Sequence, residues 1–169
     1  MATITYITGG ERSGKSSFAH DLALKLSDNP IYLATARVWD DEFKERIANH
    51  KNGRDARWTT IEEEKYLSKH DLAGRVVVMD CVTLWLNNFH FDNAYNTQKT
   101  LIEAKAEFDK LIEKDFTLIV ISNELGMGVI SESECTRKFI ELQGWINQYI
   151  AKSASEAYFM VSGIPLKIK

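Results

Sequence analysis

Ile4-Thr5-Tyr6-Ile7-Thr8-Gly9-Gly10-Glu11-Arg12-Ser13-Gly14-Lys15-Ser16 decides how this chain reads. The apolar run Ile4–Ile7 has the character of a buried strand. It leads directly into the spacing G-x-x-x-x-G-K-[ST] at Gly9–Ser16, the phosphate-binding loop of nucleotide-using proteins. Gly9 and Gly14 permit backbone dihedrals that a side chain would forbid. The amides of Gly10, Glu11, Arg12 and Ser13 can then turn inward around phosphate oxygens. Lys15 supplies a point charge for the outer phosphates, and Ser16 offers a hydroxyl to Mg²⁺. A helix opening at this point adds the positive end of its dipole. The competing reading is a structural glycine turn. The strand before the loop and the helix after it favour a nucleotide phosphate site.

Strand-like and helix-like runs alternate outward from the loop. Strands are expected at Thr3–Thr8, Ile31–Thr35, Val76–Asp80, Thr117–Ser122 and Ala157–Val161, with a short one at Leu166–Ile168. Val76-Val77-Val78-Met79 and Leu118-Ile119-Val120-Ile121 are apolar throughout, as strands covered on both faces are. Phe18, Ala19, Leu22, Ala23 and Leu26 recur at helical spacing, as do Leu101, Ala104, Phe108, Leu111 and Ile112 between Thr97 and Lys114. Asp40-Asp41-Glu42 reads as an acidic first turn. Ser131-Glu132-Ser133-Glu134 reads as a capping box, opening a helix with Cys135, Phe139, Leu142, Ile146 and Tyr149 on one face. Asn87–Asn96 is polar, aromatic-rich and without period, and reads as a loop. The expected fold is α/β: a RecA-like P-loop NTPase with a mostly parallel central sheet flanked by helices, in one domain over residues 1–169. Ligand sites in such sheets lie at the carboxyl ends of the strands.

Composition narrows the function classes. The chain has 169 residues, 44% hydrophobic and 27% charged, with a net charge of −3. The balance is that of an ordinary globular protein and lacks the basic stripe of a nucleic-acid binder. No apolar run approaches the ~20 residues that span a bilayer, and no leader is visible, so a cytoplasmic protein is expected. Cys81 and Cys135 lie in apolar surroundings and read as two reduced core thiols.

Three further constellations can carry chemistry. Asp80 ends an apolar run, where an acid either holds Mg²⁺ in phosphate-loop proteins or caps the following turn near Thr83. The segment Asp40–Arg57 is dense in charge. If it is helical to about Lys51, then Phe43, Ile47 and His50 share one side and Arg46 stands four residues before His50. His50 is then either a neutral imidazole nucleophile near pH 7, with cations beside it, or a hydrogen-bonded core histidine. Ser122-Asn123-Glu124-Leu125-Gly126-Met127-Gly128 follows an apolar strand, and it either contacts a substrate or simply connects strand to helix. His20, His70 and His90 show no metal-ligand spacing, so no zinc site is expected.

Taken together, these residues resemble the bifunctional adenosylcobinamide kinase / adenosylcobinamide-phosphate guanylyltransferase family of cobalamin biosynthesis. The resemblance covers nearly the whole chain. It rests on Ile7–Ser16, Tyr32-Leu33-Ala34-Thr35-Ala36, Asp40-Asp41-Glu42, Arg46-Ile47-Ala48-Asn49-His50-Lys51 and Trp58. It continues through Asp80-Cys81-Val82-Thr83, Ser122–Gly128, Gly144 with Asn147-Gln148, and the tail Val161–Lys169. The resemblance implies phosphorylation of adenosylcobinamide by ATP or GTP. It also implies transfer of GMP from GTP to the resulting phosphate through a GMP-histidine intermediate. The family pattern Arg-Ile-x-x-His-[Lys/Arg] places that intermediate on His50, although some members carry a second histidine where this chain has Asn49. It further implies that Ala34, Thr35 and Ala36 line the nucleotide pocket, and that Lys51, Asn52, Gly53 and Arg54 contact the nucleotide. Glu62 is implied to contact ribose or base, and Ser16 with Asp80 to hold Mg²⁺. The assembly implied is a homotrimer with sites at subunit interfaces. A kinase without guanylyl transfer and a RecA-like nucleotide-gated switch are the alternatives.

Overall fold

A computed structural model describes residues 1–37 and 55–169 of the chain. Among these residues a seven-stranded sheet is built from β1 (Thr3–Gly9), β2 (Ile31–Ala34), β3 (Thr59–Glu62), β4 (Val76–Asp80), β5 (Thr117–Asn123), β6 (Glu156–Val161) and β7 (Ile164–Lys167). The order across it is β3-β2-β4-β5-β1-β6-β7. Every pairing is parallel except β6 with β7, which is antiparallel. The helices are α1 (Lys15–Leu26), α2 (Val82–Asp92), α3 (Thr97–Ile112) and α4 (Glu134–Ser153).

The period of two along each strand divides the core into two layers. Ile4, Tyr6, Val77, Met79, Leu118 and Val120 point into one cluster, with Trp85, Leu86 and Phe89 of α2, Phe108 and Leu111 of α3, and Ile146 and Ile150 of α4. Ile7, Val78, Ile119 and Ile121 point to the other side, where Ala19 and Ala23 of α1 cover them. The small residues of α1 let that helix lie close to the sheet, so its first turn sits at the carboxyl end of β1. Strand β5 lies between β1 and β4, which puts Gly9 and Asp80 on the same sheet edge with one strand separating them.

Several expectations need correction. Asn87–Asn96 is not a loop: α2 runs through Asp92, and His90 within it is buried. The apolar spacing that builds α2 is Val82, Trp85, Leu86, Phe89, a helical stripe begun before the polar stretch. The side-chain nitrogen of Asn88 inside it donates to the carbonyls of Thr35 (2.8 Å) and Glu64 (3.0 Å). The cap of α4 is Ser133, whose hydroxyl accepts from the Thr136 amide at 3.3 Å, so the helix starts at Glu134 and Cys135 is exposed. Cys81 alone is a core thiol; burial pushes it up to about 12, which leaves it protonated and inert. The strand β3, beside Trp58, was not expected. Its alternation is weak and, among the described residues, it is the edge of the sheet.

The turn after β3 is organised around one carboxylate. Glu63 accepts from the amides of Lys65 (3.1 Å) and Tyr66 (3.0 Å) and pairs with Lys69. Burial alone would raise its pKa, but Lys69 and the two amides outweigh this and bring it down to about 2. A depressed carboxyl adds stability above its unfolded value of about 4.5. That stability is lost as pH falls from there towards 2. With the half-exposed Lys69 screened by water, the contribution is on the order of 2 kcal/mol. The stability gap between wild type and Glu63→Gln, measured by urea unfolding, should be largest near pH 6, shrink by roughly half of that amount at pH 3 and go on shrinking towards pH 2.

Candidate nucleotide site

The loop between β1 and α1 is shaped by its glycines and by the hairpin beside it. Gly14 caps α1 in the left-handed region at φ 93°, and a Cβ there would come 3.0 Å from the Cα of Gly163. Gly9 has no room for a side chain either: a Cβ would meet the Met160 carbonyl at 2.7 Å. The turn Ser162–Gly163 between β6 and β7, with φ 51° and 83°, donates its Gly163 amide to the Ser13 carbonyl at 2.9 Å. The β6–β7 hairpin thus braces the loop from outside. Arg12 adopts φ 53° within the loop, a conformation unfavourable for a residue with a Cβ.

Lys15 is the buried cation of the site. Its Nζ donates to the Gly10 carbonyl at 2.5 Å and lies 3.4 Å from Ser13 Oγ. Burial lowers its pKa, and the charges of Asp80 and Glu11 oppose that fall. Ser16, on the first turn of α1, donates to Asp80 Oδ2 at 3.2 Å. Tyr32 on β2 donates to the same oxygen at 2.8 Å. Hydroxyl and carboxylate oxygens are the hard donors that Mg²⁺ prefers, and Mg²⁺ commonly takes one or two protein oxygens and completes its shell with phosphates and water. Ser16 and Asp80 fit that ion. Among the described residues no group of three or more His, Cys, Asp or Glu could hold a metal by itself.

Register brings other residues to this edge. Ala34 pairs with Asp80 on one side and with Glu62 on the other, so the ends of β4, β2 and β3 are level. Thr35, expected to line a pocket, turns its hydroxyl to the Cys81 carbonyl at 2.8 Å and is fully buried, so its side chain joins β2 to the start of α2. Arg37 pairs with Asp92 through both terminal nitrogens (2.8 and 3.1 Å) and with Glu64. His50, Lys51, Asn52, Gly53, Arg54 and the acidic turn Asp40-Asp41-Glu42 lie outside the described residues.

On the α4 side of the loop, Ser122 donates to Asn147 at 2.6 Å and accepts from Gln143 at 2.9 Å. Asn147 donates to the Asn123 carbonyl at 3.2 Å, and the Glu124 amide donates to the Gly9 carbonyl at 3.0 Å. Glu124 Oε1 accepts from the Gly126 amide, so this carboxylate shapes its own turn. The Ser122–Gly128 segment therefore acts at least in part as a support for the loop. Sequence reading assigned no role to Tyr32, Gln143 or Gly163. For Tyr32 a signal was present: a phenol in an otherwise aliphatic buried strand needs a polar partner.

A strand, a glycine-rich turn and a helix N-terminus, with an acid two strands away across an interposed β5, define a P-loop NTPase of the RecA-like kind. A type III secretion system ATPase shares the fold, with a TM-score of 0.54 at 13% identity over 98% of this chain and 56% of that one. The chain belongs to the cobinamide kinase / cobinamide phosphate guanyltransferase family, whose sequence model matches residues 5–168. The bifunctional adenosylcobalamin biosynthesis protein CobP of Pseudomonas aeruginosa is 37% identical over 96% of this chain and 95% of its own length. The CobU proteins of Escherichia coli and Salmonella typhimurium, named as the same bifunctional protein, are 35% and 33% identical, each over 96% of this chain and 98% of their own.

Proposed function

We propose that this protein phosphorylates adenosylcobinamide with ATP or GTP. It then transfers GMP from GTP to adenosylcobinamide phosphate, giving adenosylcobinamide-GDP and pyrophosphate. The observation that carries this reading is the loop Gly9–Ser16, with Lys15 buried in it and Ser16 bonded to Asp80, in a chain aligned with bifunctional relatives over 96% of its length. A family model named for both activities, and relatives named as bifunctional, argue against a kinase alone and against a switch without covalent chemistry.

In the kinase step the loop amides and Lys15 hold the nucleotide phosphates. The cobinamide hydroxyl oxygen forms a bond to the γ-phosphorus as the bond to the nucleoside diphosphate breaks. In the guanylyl step His50 attacks the α-phosphorus of GTP. A P–N bond forms, the bond to pyrophosphate breaks, and Lys15, Lys51 and Arg54 take up the developing charge. An oxygen of the cobinamide phosphate then attacks the guanylyl phosphorus and releases the imidazole. Ser16 and Asp80 would hold Mg²⁺, which supplies charge neutralisation on the phosphates when bound. Ala34, Ala36, Asn52, Gly53 and Glu62 complete the nucleotide contacts; the level register of Ala34, Glu62 and Asp80 supports this.

The protein acts as one domain over residues 1–169, in the cytoplasm, as a homotrimer. Ile164, Leu166 and Ile168, at 57–66% exposure, with Val161 beside them, form an apolar edge suited to a second copy. Among the described residues no helix is long and apolar enough to cross a membrane.

Incubation with α-labelled GTP tests the reading. Label should stay on the protein through denaturation, resist alkali and be released by acid, as a phosphoramidate is. A chase with adenosylcobinamide phosphate should move it to the corrinoid. Absence of protein-bound label under conditions that phosphorylate adenosylcobinamide would leave a kinase alone.

A further inference from the structure

We propose that Tyr32 is a positioning residue for Asp80: its phenol holds the carboxylate in the orientation that receives the Mg²⁺ of the nucleotide. The inference rests on the proposed function only in taking Asp80 as the acid that holds the metal.

The geometry is specific. Tyr32 donates to Asp80 Oδ2 at 2.8 Å, and Ser16 donates to the same atom at 3.2 Å. Among the described residues both hydrogen bonds to this carboxylate end on Oδ2, which leaves Oδ1 for a metal ion or its water. Tyr32 is paired with Val78 in the parallel register of β2 and β4, so its side chain leaves the same face of the sheet as Asp80, one alternation further back. From there the ring reaches forward to the carboxylate. Tyr32 is 5% exposed and packs in the layer under α1 with Val78. An aliphatic side chain would fill that layer without needing a polar partner. The hydroxyl is the group that distinguishes a tyrosine here, and it is spent on Asp80.

The ring is itself held. His20 of α1 meets it edge-on at 5.6 Å between centroids, and Trp58 meets it edge-on at 6.2 Å. These contacts restrict the ring before any ligand arrives, so the phenol reaches the carboxylate with little further loss of freedom. The terminal torsion of an aspartate is broad. The longer bond from Ser16 is a weak restraint on it, and Ser16 is also the hydroxyl offered to the metal. Tyr32 therefore supplies an anchor that the metal does not require for its own coordination.

The test is Tyr32→Phe, with GTP affinity measured by calorimetry in EDTA and across a Mg²⁺ titration, and Mn²⁺ binding to the nucleotide complex followed by electron paramagnetic resonance. No corrinoid is present. The expected result is a GTP affinity in EDTA within about twofold of wild type. The Mg²⁺ concentration at half effect should rise about five- to tenfold, in the range for loss of a hydrogen bond to a charged acceptor. Tyr149→Phe is the matched control. It removes a phenol-to-carboxylate bond of the same kind, 2.7 Å from Tyr149 on α4 to Asp109 on α3, and should leave the Mg²⁺ dependence unmoved. The proposal is overturned if Tyr32→Phe binds Mg²⁺ and Mn²⁺ as wild type does. It is equally overturned if melting temperature and metal-free affinity fall as much as the metal-dependent part, which is the signature of packing alone. Loss of the proposed function is a separate outcome: a wild type that neither phosphorylates adenosylcobinamide nor traps GMP still allows the Tyr32 measurement to be read.

Discussion

His50→Ala is expected to remove protein-bound GMP entirely while ATP-dependent phosphorylation of adenosylcobinamide continues. In the proposed function the two reactions share a nucleotide cradle but differ in the attacking atom: the kinase step uses a substrate hydroxyl at the γ-phosphorus, and the guanylyl step a nitrogen at the α-phosphorus. Deleting a nucleophile removes the covalent path and leaves only what binding and electrostatic stabilisation achieve for direct attack. A fall in labelled protein on the order of 10⁴-fold or more is therefore expected, to background in practice. Acid-quenched incubations with α-labelled GTP, run beside a γ-labelled ATP assay on the same preparation, measure both halves at once. Label surviving in His50→Ala would move the intermediate to another residue, and loss of both activities together would place His50 in the cradle rather than at the reacting phosphorus.

Lys15→Ala is expected to lose both activities, and in similar proportion. Lys15 is 7% exposed, its ammonium lies at 2.5 Å from the Gly10 carbonyl, and it sits near Asp80 and Glu11, whose charges sustain it against burial. A charge in so sheltered a place is screened little, and in the proposed function it serves whichever phosphate is under attack. Removing one such stabiliser typically costs about 10²–10³ in rate. Lys15→Arg is not expected to restore it. A guanidinium is a planar fork and the loop is shaped around a compact point charge, with Gly9 and Gly14 already unable to accept a Cβ. Turnover of each half reaction under saturating nucleotide, with calorimetric affinity in parallel, checks this. A variant that lost one activity and kept the other would show that the two reactions do not share this cradle.

Much of the fold was legible from local signals. The strand before Gly9, the all-apolar runs at Val76–Met79 and Leu118–Ile121, and the stripe of α3 appear where their periodicity puts them, within a residue or two, while α4 keeps Leu142 and Ile146 of its expected face fully buried and leaves Cys135 exposed. These are elements whose burial is set by their own residues. The misreading of Asn87–Asn96 has a physical cause. Asn88 and His90 look like loop residues because they are polar, but α2 buries them by supplying partners from elsewhere: the Thr35 and Glu64 carbonyls for Asn88, and Thr100, 3.4 Å away, for His90. The Asn88 partners lie 53 and 24 residues away, and partners so distant in sequence cannot be seen in a local window. Edge strand β3 escaped for a related reason, since its pairing with β2 rather than its own pattern makes it a strand.

The sequence by itself determined the glycine-rich loop after β1, the lysine and hydroxyl that stand at its end, and to which family the chain belongs. Those features are carried by contiguous residues whose backbone requirements and chemistry are local. Tertiary structure alone decided what stands around the cradle. Inserting β5 between β1 and β4 brings Ser16 to Asp80, the register of β2 carries Tyr32 to the same carboxylate oxygen, and the β6–β7 turn closes on the Ser13 carbonyl. Each of these contacts joins positions 48 to 150 residues apart, and only the order and register of the sheet bring them within hydrogen-bond distance.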